Sequence, residues 1–244
     1  KFYLGQIMNL PWQIMGPDMV FLGGYSEYLK YKDKKKIIYA HNLDYDNYLK
    51  IINVNNLKNH NSKNNSLKNN SLKNNSLKNN SLKNILFLDE DFAGHSDYFR
   101  EGVRPELNQS EYFSEMSFCL KTLGKRLNLK PIVKLHPRAN FEKSTEFYKV
   151  DITQKDTAKI VYESDLVVAH CSTSIQLAVL FYKPIILIIP NKLSKNSYFR
   201  LIMENIKKEL GIKCLRTKDI LSIKNIPKVN FRKYDRYKEK FIKM

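Results

Sequence analysis

From residue 84 to 190 the chain alternates between two kinds of apolar pattern. One kind is short and unbroken: Asn84-Ile85-Leu86-Phe87-Leu88, Pro131-Ile132-Val133-Lys134-Leu135, Leu166-Val167-Val168-Ala169, and the run from Pro184 to Ile189. Such runs read as strands covered on both faces. The other kind is spaced. Tyr112, Phe113, Met116, Cys119, Leu120, Leu123 and Leu127 fall on one side of a helix over 110–128, with Ser110 placed to cap it. Residues 155–164 predict a short helix, and 175–182 a helix with few polar positions. Strands alternating with helices predict an α/β fold with a doubly wound, parallel, Rossmann-like sheet.

The flanks carry weaker signals. Residues 19–24 and 36–41 predict two more strands ending in turns, followed by a helix from Asp44. That is too little for a second Rossmann-like domain and reads as the remnant of one. In the tail, Phe231, Tyr234, Tyr237 or Lys238, and Phe241 share a helical face among many bases. Two readings fit: a peripheral helix on anionic lipid, or a last helix packed on the core with a solvated basic rim.

Between the flank and the organised part, Asn-Asn-Ser-Leu-Lys occurs four times in a row over 64–83. A period of five matches neither helix nor strand, so one leucine per unit cannot build an apolar stripe. The segment reads as a flexible solvated loop. The expected organisation is therefore 1–56, remnant of an N-terminal, acceptor-side domain; 57–84, low-complexity loop; and 85–244, a nucleotide-sugar-binding domain ending in a basic helix.

Composition changes this picture little. Of 244 residues 43% are hydrophobic, enough for a core, and the formal charge is +18. The repeat segment 57–84 contributes +6 and residues 200–244 contribute +9, leaving the body almost neutral. A nucleic-acid binder more often carries its basic stripe on a folded face, so no nucleic-acid partner is expected. Three cysteines without a CxxC pair suggest neither a disulfide framework nor a zinc site. No apolar run is long enough to span a membrane. A cytoplasmic setting is expected, with contact through 228–244 to the inner face of a bacterial cytoplasmic membrane. The chain starts without Met and reads as a fragment.

In an open parallel sheet ligands bind beyond the carboxyl ends of the strands. Three predicted strands deliver polar residues there. The first leads into Asp89, Glu90, Asp91 and on to His95-Ser96-Asp97. The second ends at His136-Pro137-Arg138, and the third at His170-Cys171-Ser172-Thr173-Ser174. Hydroxyls and N–H groups of Ser172, Thr173 and Ser174 before a helix suit a phosphate. His136 and Arg138 suit neutralisation of a leaving phosphate. Asp97, then Asp89, are the candidate general bases. Each has a plain structural alternative: capping, strand-end bonding, or loop solvation.

Taken in order, Phe87-Leu88-Asp89, His95-Ser96-Asp97-Tyr98, Lys134-Leu135-His136-Pro137-Arg138-Ala139, Ala169-His170-Cys171-Ser172-Thr173-Ser174 and Lys183-Pro184-Ile185-Ile186 resemble bacterial surface-polysaccharide biosynthesis proteins of the GT-B glycosyltransferase type. Gly23-Gly24 and Ala40-His41-Asn42-Leu43-Asp44-Tyr45-Asp46 fit the same group. The His-Pro and Ser-Thr-Ser motifs are also similar to those of bacterial sialyltransferases and polysialyltransferases. The resemblance implies a GT-B fold incomplete at its N-terminus. It implies glycosyl transfer from a nucleotide-activated sugar, CMP-linked and sialic-acid-like in its narrowest form, to a capsule or lipooligosaccharide glycan. No cofactor or metal is implied. His136, Pro137, Arg138, His170, Ser172, Thr173 and Ser174 would hold the nucleotide phosphate, with Asp97, Asp89 and His136 catalytic. Polymerising phosphotransferases resemble this arrangement too. A basic membrane-peripheral or nucleic-acid-binding protein is the non-enzymatic alternative.

Overall fold

The computed structural model describes residues 20–23, 29, 37–62, 83–91, 107–137, 139, 149–193 and 197–242. Two short strands, β1 (Val20–Gly23) and β2 (Ile37–Ala40), pair in parallel. Helix α1 (Leu43–Ser62) follows. Then come β3 (Asn84–Leu88), α2 (Gln109–Leu127), β4 (Lys130–Lys134), β5 (Asp151–Thr153), α3 (Thr157–Glu163) and β6 (Leu166–Ala169). The chain continues with α4 (Ile175–Leu180), β7 (Ile185–Ile189), α5 (Tyr198–Leu210), β8 (Lys213–Arg216), a 3₁₀ helix (Thr217–Ser222) and α6 (Phe231–Phe241).

β3 to β8 form one six-stranded, wholly parallel sheet in the order β5-β4-β3-β6-β7-β8. Renumbered from β3, that order is 3-2-1-4-5-6, the doubly wound Rossmann arrangement. The parallel α/β expectation therefore holds. The central strands explain why: every residue of β6 and β7 is buried, and all of β3 after Asn84. Only a sheet with both faces covered can bury such runs. α2 and the 3₁₀ helix pack together, and Arg126 donates from Nε to the Ile223 carbonyl at 2.9 Å. α3, α4, α5 and α6 pack in a second group, with α1 against α3 and α4.

The structure adds elements at the sheet edges that the apolar pattern does not predict. β5, Asp-Ile-Thr, has three residues, and β8, Lys-Cys-Leu-Arg, has no buried residue. Edge strands need bury only one face, so they lack the long apolar run. The cap of α2 also differs from expectation. Asn108, not Ser110, is the N-cap, and its Oδ1 accepts from the Ser110 and Glu111 N–H groups at 3.0 and 3.3 Å. An asparagine two residues earlier reaches the orphan donors that Ser110 is itself among.

α1 continues to Ser62, six residues into the segment expected as loop. No glycine or proline stands between Leu43 and Ser62, and propagation past the nucleus adds one bond per residue. Its start packs on the large sheet's helices. Tyr48 meets Phe181 at 5.1 Å between ring centroids, and the Asn42 N–H donates to the Ile242 carbonyl at 3.1 Å. The repeat over 64–83 lies outside the described residues except for Lys83.

α6 is the core-packed helix of the two readings. Tyr234 is fully buried and donates its hydroxyl to the Lys183 carbonyl at 3.1 Å. Tyr182 packs on Phe231 and donates to Asp235, and Lys238 lies 3.3 Å over the Tyr182 ring. Lys240 pairs with Glu209 at 2.9 Å. The aromatic face is thus used by the fold, and Arg232 and Arg236 remain on the exposed rim. No described helix is long and apolar enough to cross a membrane.

Candidate functional site

The carboxyl ends of the central strands are level. Leu88 pairs with Lys134 on one side and Ala169 on the other, and Ala169 with Leu187 beyond. Adjacent strands stand about 4.8 Å apart. Asp89 after β3 and His170 after β6 therefore emerge side by side, with His136 one residue further out beyond β4. The Asp89 N–H still bonds the Lys134 carbonyl at 3.0 Å, so the β3–β4 ladder ends just below His136. β3 and β6 flank the point where the strand order reverses, the place where a crevice opens in this topology.

That point is floored by a buried hydrogen-bonded chain. Tyr112, 1% exposed, puts its hydroxyl 3.2 Å from Asp89 Oδ1 and 2.9 Å from His170 Nε2. His170 Nδ1 lies 2.5 Å from the Ile188 carbonyl oxygen, which requires that nitrogen to carry the proton. Phe87 stands edge-on to the same imidazole at 5.4 Å. Complete burial lowers the His170 pKa from its usual value to about 4, so the ring is neutral at pH 7. This corrects one expectation. His170 is 0% exposed with both nitrogens engaged, so it reaches no phosphate. It ties β6 to α2 and β7 instead.

A second tie joins the same two loops. The Cys171 N–H and thiol both donate to Glu90 Oε2, at 3.2 and 3.0 Å. Burial pushes the Glu90 carboxyl above its ordinary range, and these two bonds oppose the shift. Burial and the adjacent carboxylate push the Cys171 thiol well above its ordinary range, which disfavours the thiolate. Asp89 is 4% exposed and also accepts from the Asp91 N–H at 3.1 Å. Asp91 takes up a left-handed backbone, φ 50°. Asp89 and Glu90 are thereby held inward as structural groups. Asp97, the first-ranked base, lies outside the described residues, as do His95, Ser96 and Arg138.

Ser172 and Ser174 are partly buried and Thr173 is exposed. The Ser174 N–H donates to Ser172 Oγ at 3.3 Å. The N–H groups of Ile175, Gln176 and Leu177 bond back three residues to the carbonyls of Ser172, Thr173 and Ser174. The turn is thus tightly wound before a helix of only six residues. His136, like Ser172 and Ser174, is partly buried at this edge of the sheet. Pro137 is exposed, and the Ala139 N–H closes a turn on the His136 carbonyl at 2.9 Å.

Sequence reasoning missed one pair. His41 Nε2 lies 2.8 Å from Asp46 Oδ1, both partly exposed, just past β2. Asn42 donates to Gln176, which brings this segment against the first turn of α4. Burial raises the neighbouring Asp44 carboxyl to about 6. A histidine at a strand end with carboxylates three and five residues on was the available signal. Among the described residues, no group of three or more His, Cys, Asp or Glu is placed to hold a metal.

No protein-family model matches the chain, and no curated protein sequence does. Solved structures do. Two histidine variants of the wall teichoic acid polymerase TagF align over 92% of this chain and 53% of theirs, with TM-scores of 0.54 and 0.53 and identities of 13% and 14%. A third TagF structure, soaked with CDPG, aligns with a TM-score of 0.50 at 14% identity. The chain thus spans about half the length of these structures. At this identity the likeness is one of fold: a six-stranded parallel α/β sheet of the kind found in GT-B-type proteins.

Proposed function

We propose that the protein is a transferase that moves a group from a nucleotide-activated donor onto a bacterial surface glycan or polymer. One observation carries this reading: the 3-2-1-4-5-6 sheet brings His136, past β4, and the hydroxyls of residues 172–174, past β6, to the same edge on either side of β3, beside the switch point. The likeness in fold to a wall teichoic acid polymerase supports it. The leaving phosphate would sit on these hydroxyls, with His136 and Arg138 as the cations or donors that meet its growing charge. Such electrostatic stabilisation is usually the largest contribution to catalysis.

In glycosyl transfer the acceptor oxygen attacks the sugar's anomeric carbon. The bond from that carbon to the donor phosphate breaks, and the acceptor proton passes to a base. Asp97 is the proposed base. The His41–Asp46 pair, partly exposed and held against α4 through Asn42, is a further group that could take that proton. Asp89 is too deeply engaged for the role. A CMP-linked, sialic-acid-like donor is the narrowest form of the reading. The second reading is transfer of a phosphate-linked alcohol: the acceptor oxygen attacks the phosphorus that carries the alcohol, the bond from that phosphorus to the bridging oxygen breaks, the nucleoside monophosphate leaves, and the acceptor proton passes to the base. It is favoured by the TagF likeness, including the CDPG-soaked structure. Contact of residues 228–244 with an anionic membrane would rest mainly on charge, since Tyr234 is buried and, of the aromatic residues of α6, Phe231 is the one most exposed.

A melting-temperature screen against CMP, CDP, UMP, UDP and GDP tests the site, since a ligand bound only by the folded state stabilises it by mass action. Selective stabilisation by a cytidine nucleotide is expected, lost in His136→Ala and weakened in Ser172→Ala. No response to any nucleotide would refute the reading. With a responsive donor, ³¹P spectra of the product separate the two chemistries, because only phosphotransfer leaves a new phosphodiester in the polymer.

A further inference from the structure

One strand over from the 172–174 turn, a second helix opens on the same edge of the sheet. α5 has 13 residues and follows β7, so its N-terminus stands at the carboxyl end of that strand, beside β6. Ser197 is its N-cap, at φ −58° and ψ 133°. A serine in this place ordinarily turns its oxygen onto the second or third N–H of the helix. Ser197 makes no such bond. It is 4% exposed, and its Oγ has no hydrogen-bond partner. Arg200, three residues on, presents the complementary lack: Nη1 is shut off from solvent and has no acceptor. The first acid along the helix, Glu204, is ion-paired with Lys207 at 3.0 Å.

A buried hydroxyl at the N-cap and a buried guanidinium nitrogen on the residue three further along the first turn, neither with a hydrogen-bond partner in the protein, are a standing cost. The group that would remove this cost is defined by what is there. Arg200 only donates and always carries charge. The Ser197 hydroxyl can donate, and the positive end of the helix dipole adds to both. The required partner is an anion with several acceptor oxygens.

We propose that the N-terminus of α5, through Ser197 Oγ and the Arg200 guanidinium, binds a phosphate-bearing group, at a site separate from His136 and the 172–174 turn. Two sources share this chemistry: the phosphate of a donor nucleotide, and a phosphate on the acceptor. The site itself does not depend on the donor assignment, because inorganic phosphate is a sufficient probe.

The test is calorimetric titration of the whole chain, in phosphate-free buffer, with inorganic phosphate, CMP and glycerol 3-phosphate. Arg200→Gln should weaken inorganic phosphate about tenfold, as expected for loss of a charge-assisted contact, and Ser197→Ala should weaken it several-fold. Ser197→Asp supplies an internal carboxylate to the same mouth. It should raise the melting temperature in phosphate-free buffer and abolish the response to phosphate, which separates lost binding from lost folding. His136→Ala leaves α5 untouched. A phosphate response that survives His136→Ala but not Arg200→Gln places the anion at α5, even if the transferase reading fails. A tenfold loss for CMP assigns the site to the donor, and one for glycerol 3-phosphate assigns it to a phosphorylated acceptor. Unchanged affinity for all three probes in Arg200→Gln and Ser197→Asp would overturn the proposal, as would the absence of saturable binding in the parent chain.

Discussion

Tyr112 has one hydroxyl proton and two acceptors for it. With His170 Nδ1–H committed to the Ile188 carbonyl, Nε2 accepts, and Asp89 Oδ1 stands on the other side of the same oxygen. Tyr112→Phe keeps the ring and deletes the bridge at a site that water does not reach. Urea unfolding should show a loss of about 1–3 kcal/mol, the usual cost of a buried hydrogen bond left unmade. His170 makes a second, pH-dependent prediction. Its folded pKa is about 4 and its unfolded pKa near 6.5. Between those values the unfolded chain binds a proton that the folded chain refuses, so stability falls on acidification. From pH 7 to pH 5 this group alone should remove about 2 kcal/mol. Glu90, raised by burial, contributes in the opposite sense, so the measurement is the difference between the parent chain and His170→Gln. Identical slopes for the two would contradict a neutral buried His170. At this scale the sequence showed that polar residues gather at the strand ends, but not which of them face outward. His170 and Ser172 are two residues apart in an equally polar motif. Only burial by Phe87, Tyr112 and β7 separates the enclosed His170 from the partly exposed Ser172.

Elements were most legible where burial is complete. β3, β6 and β7 and helix α2 follow from apolar runs and helical spacing, because the interior accepts nothing else there. β5 and β8 were not legible, since an edge strand is specified by the neighbour that offers it a ladder. Ends of elements depend on single side chains, as α2 shows. Asn108 Oδ1 accepts from two backbone N–H groups and from the Ser110 hydroxyl at 2.8 Å. Asn108→Ala should therefore cost about 1 kcal/mol in chemical denaturation. Ser110→Ala, which removes only the exposed hydroxyl contact, should stay within about 0.5 kcal/mol. If Ser110→Ala were the costlier change, the cap would sit where the helical spacing first suggested it. The placement bears on function, because the first turns of α2 carry Tyr112 to the switch point. They also carry Glu111 and Glu115 to the loop after β7, where Glu115 accepts from the Asn191 N–H at 2.7 Å and Glu111 pairs with Lys192 at 2.7 Å. A frayed α2 start would loosen both sides of the crevice.

For the whole molecule, the sheet's chain order explains how a low-complexity segment can sit inside it. α1 packs on α3 and α4, and β3 lies at the centre of the sheet, so the residues joining them connect two parts of one packed body. The energetic question is only how much closing that connection costs. Closure entropy rises with the logarithm of length, about 0.6 kcal/mol per doubling. Deleting one Asn-Asn-Ser-Leu-Lys unit from the residues between Ser62 and Lys83 shortens the connection by about a quarter, so stability should rise by about 0.3 kcal/mol or less. Nucleotide-dependent stabilisation should be unchanged, because both candidate anion sites stand at the carboxyl ends of β4, β6 and β7, whereas Lys83 enters β3 at its amino end. The check is a pair of melts, with and without nucleotide, on chains carrying three and four repeat units. A loss above about 1 kcal/mol on removing one unit would be larger than chain entropy can produce. It would mean that the leucines of the repeat pack on the fold, and that the period of five, which fits neither helix nor strand, is read by a surface rather than by the backbone.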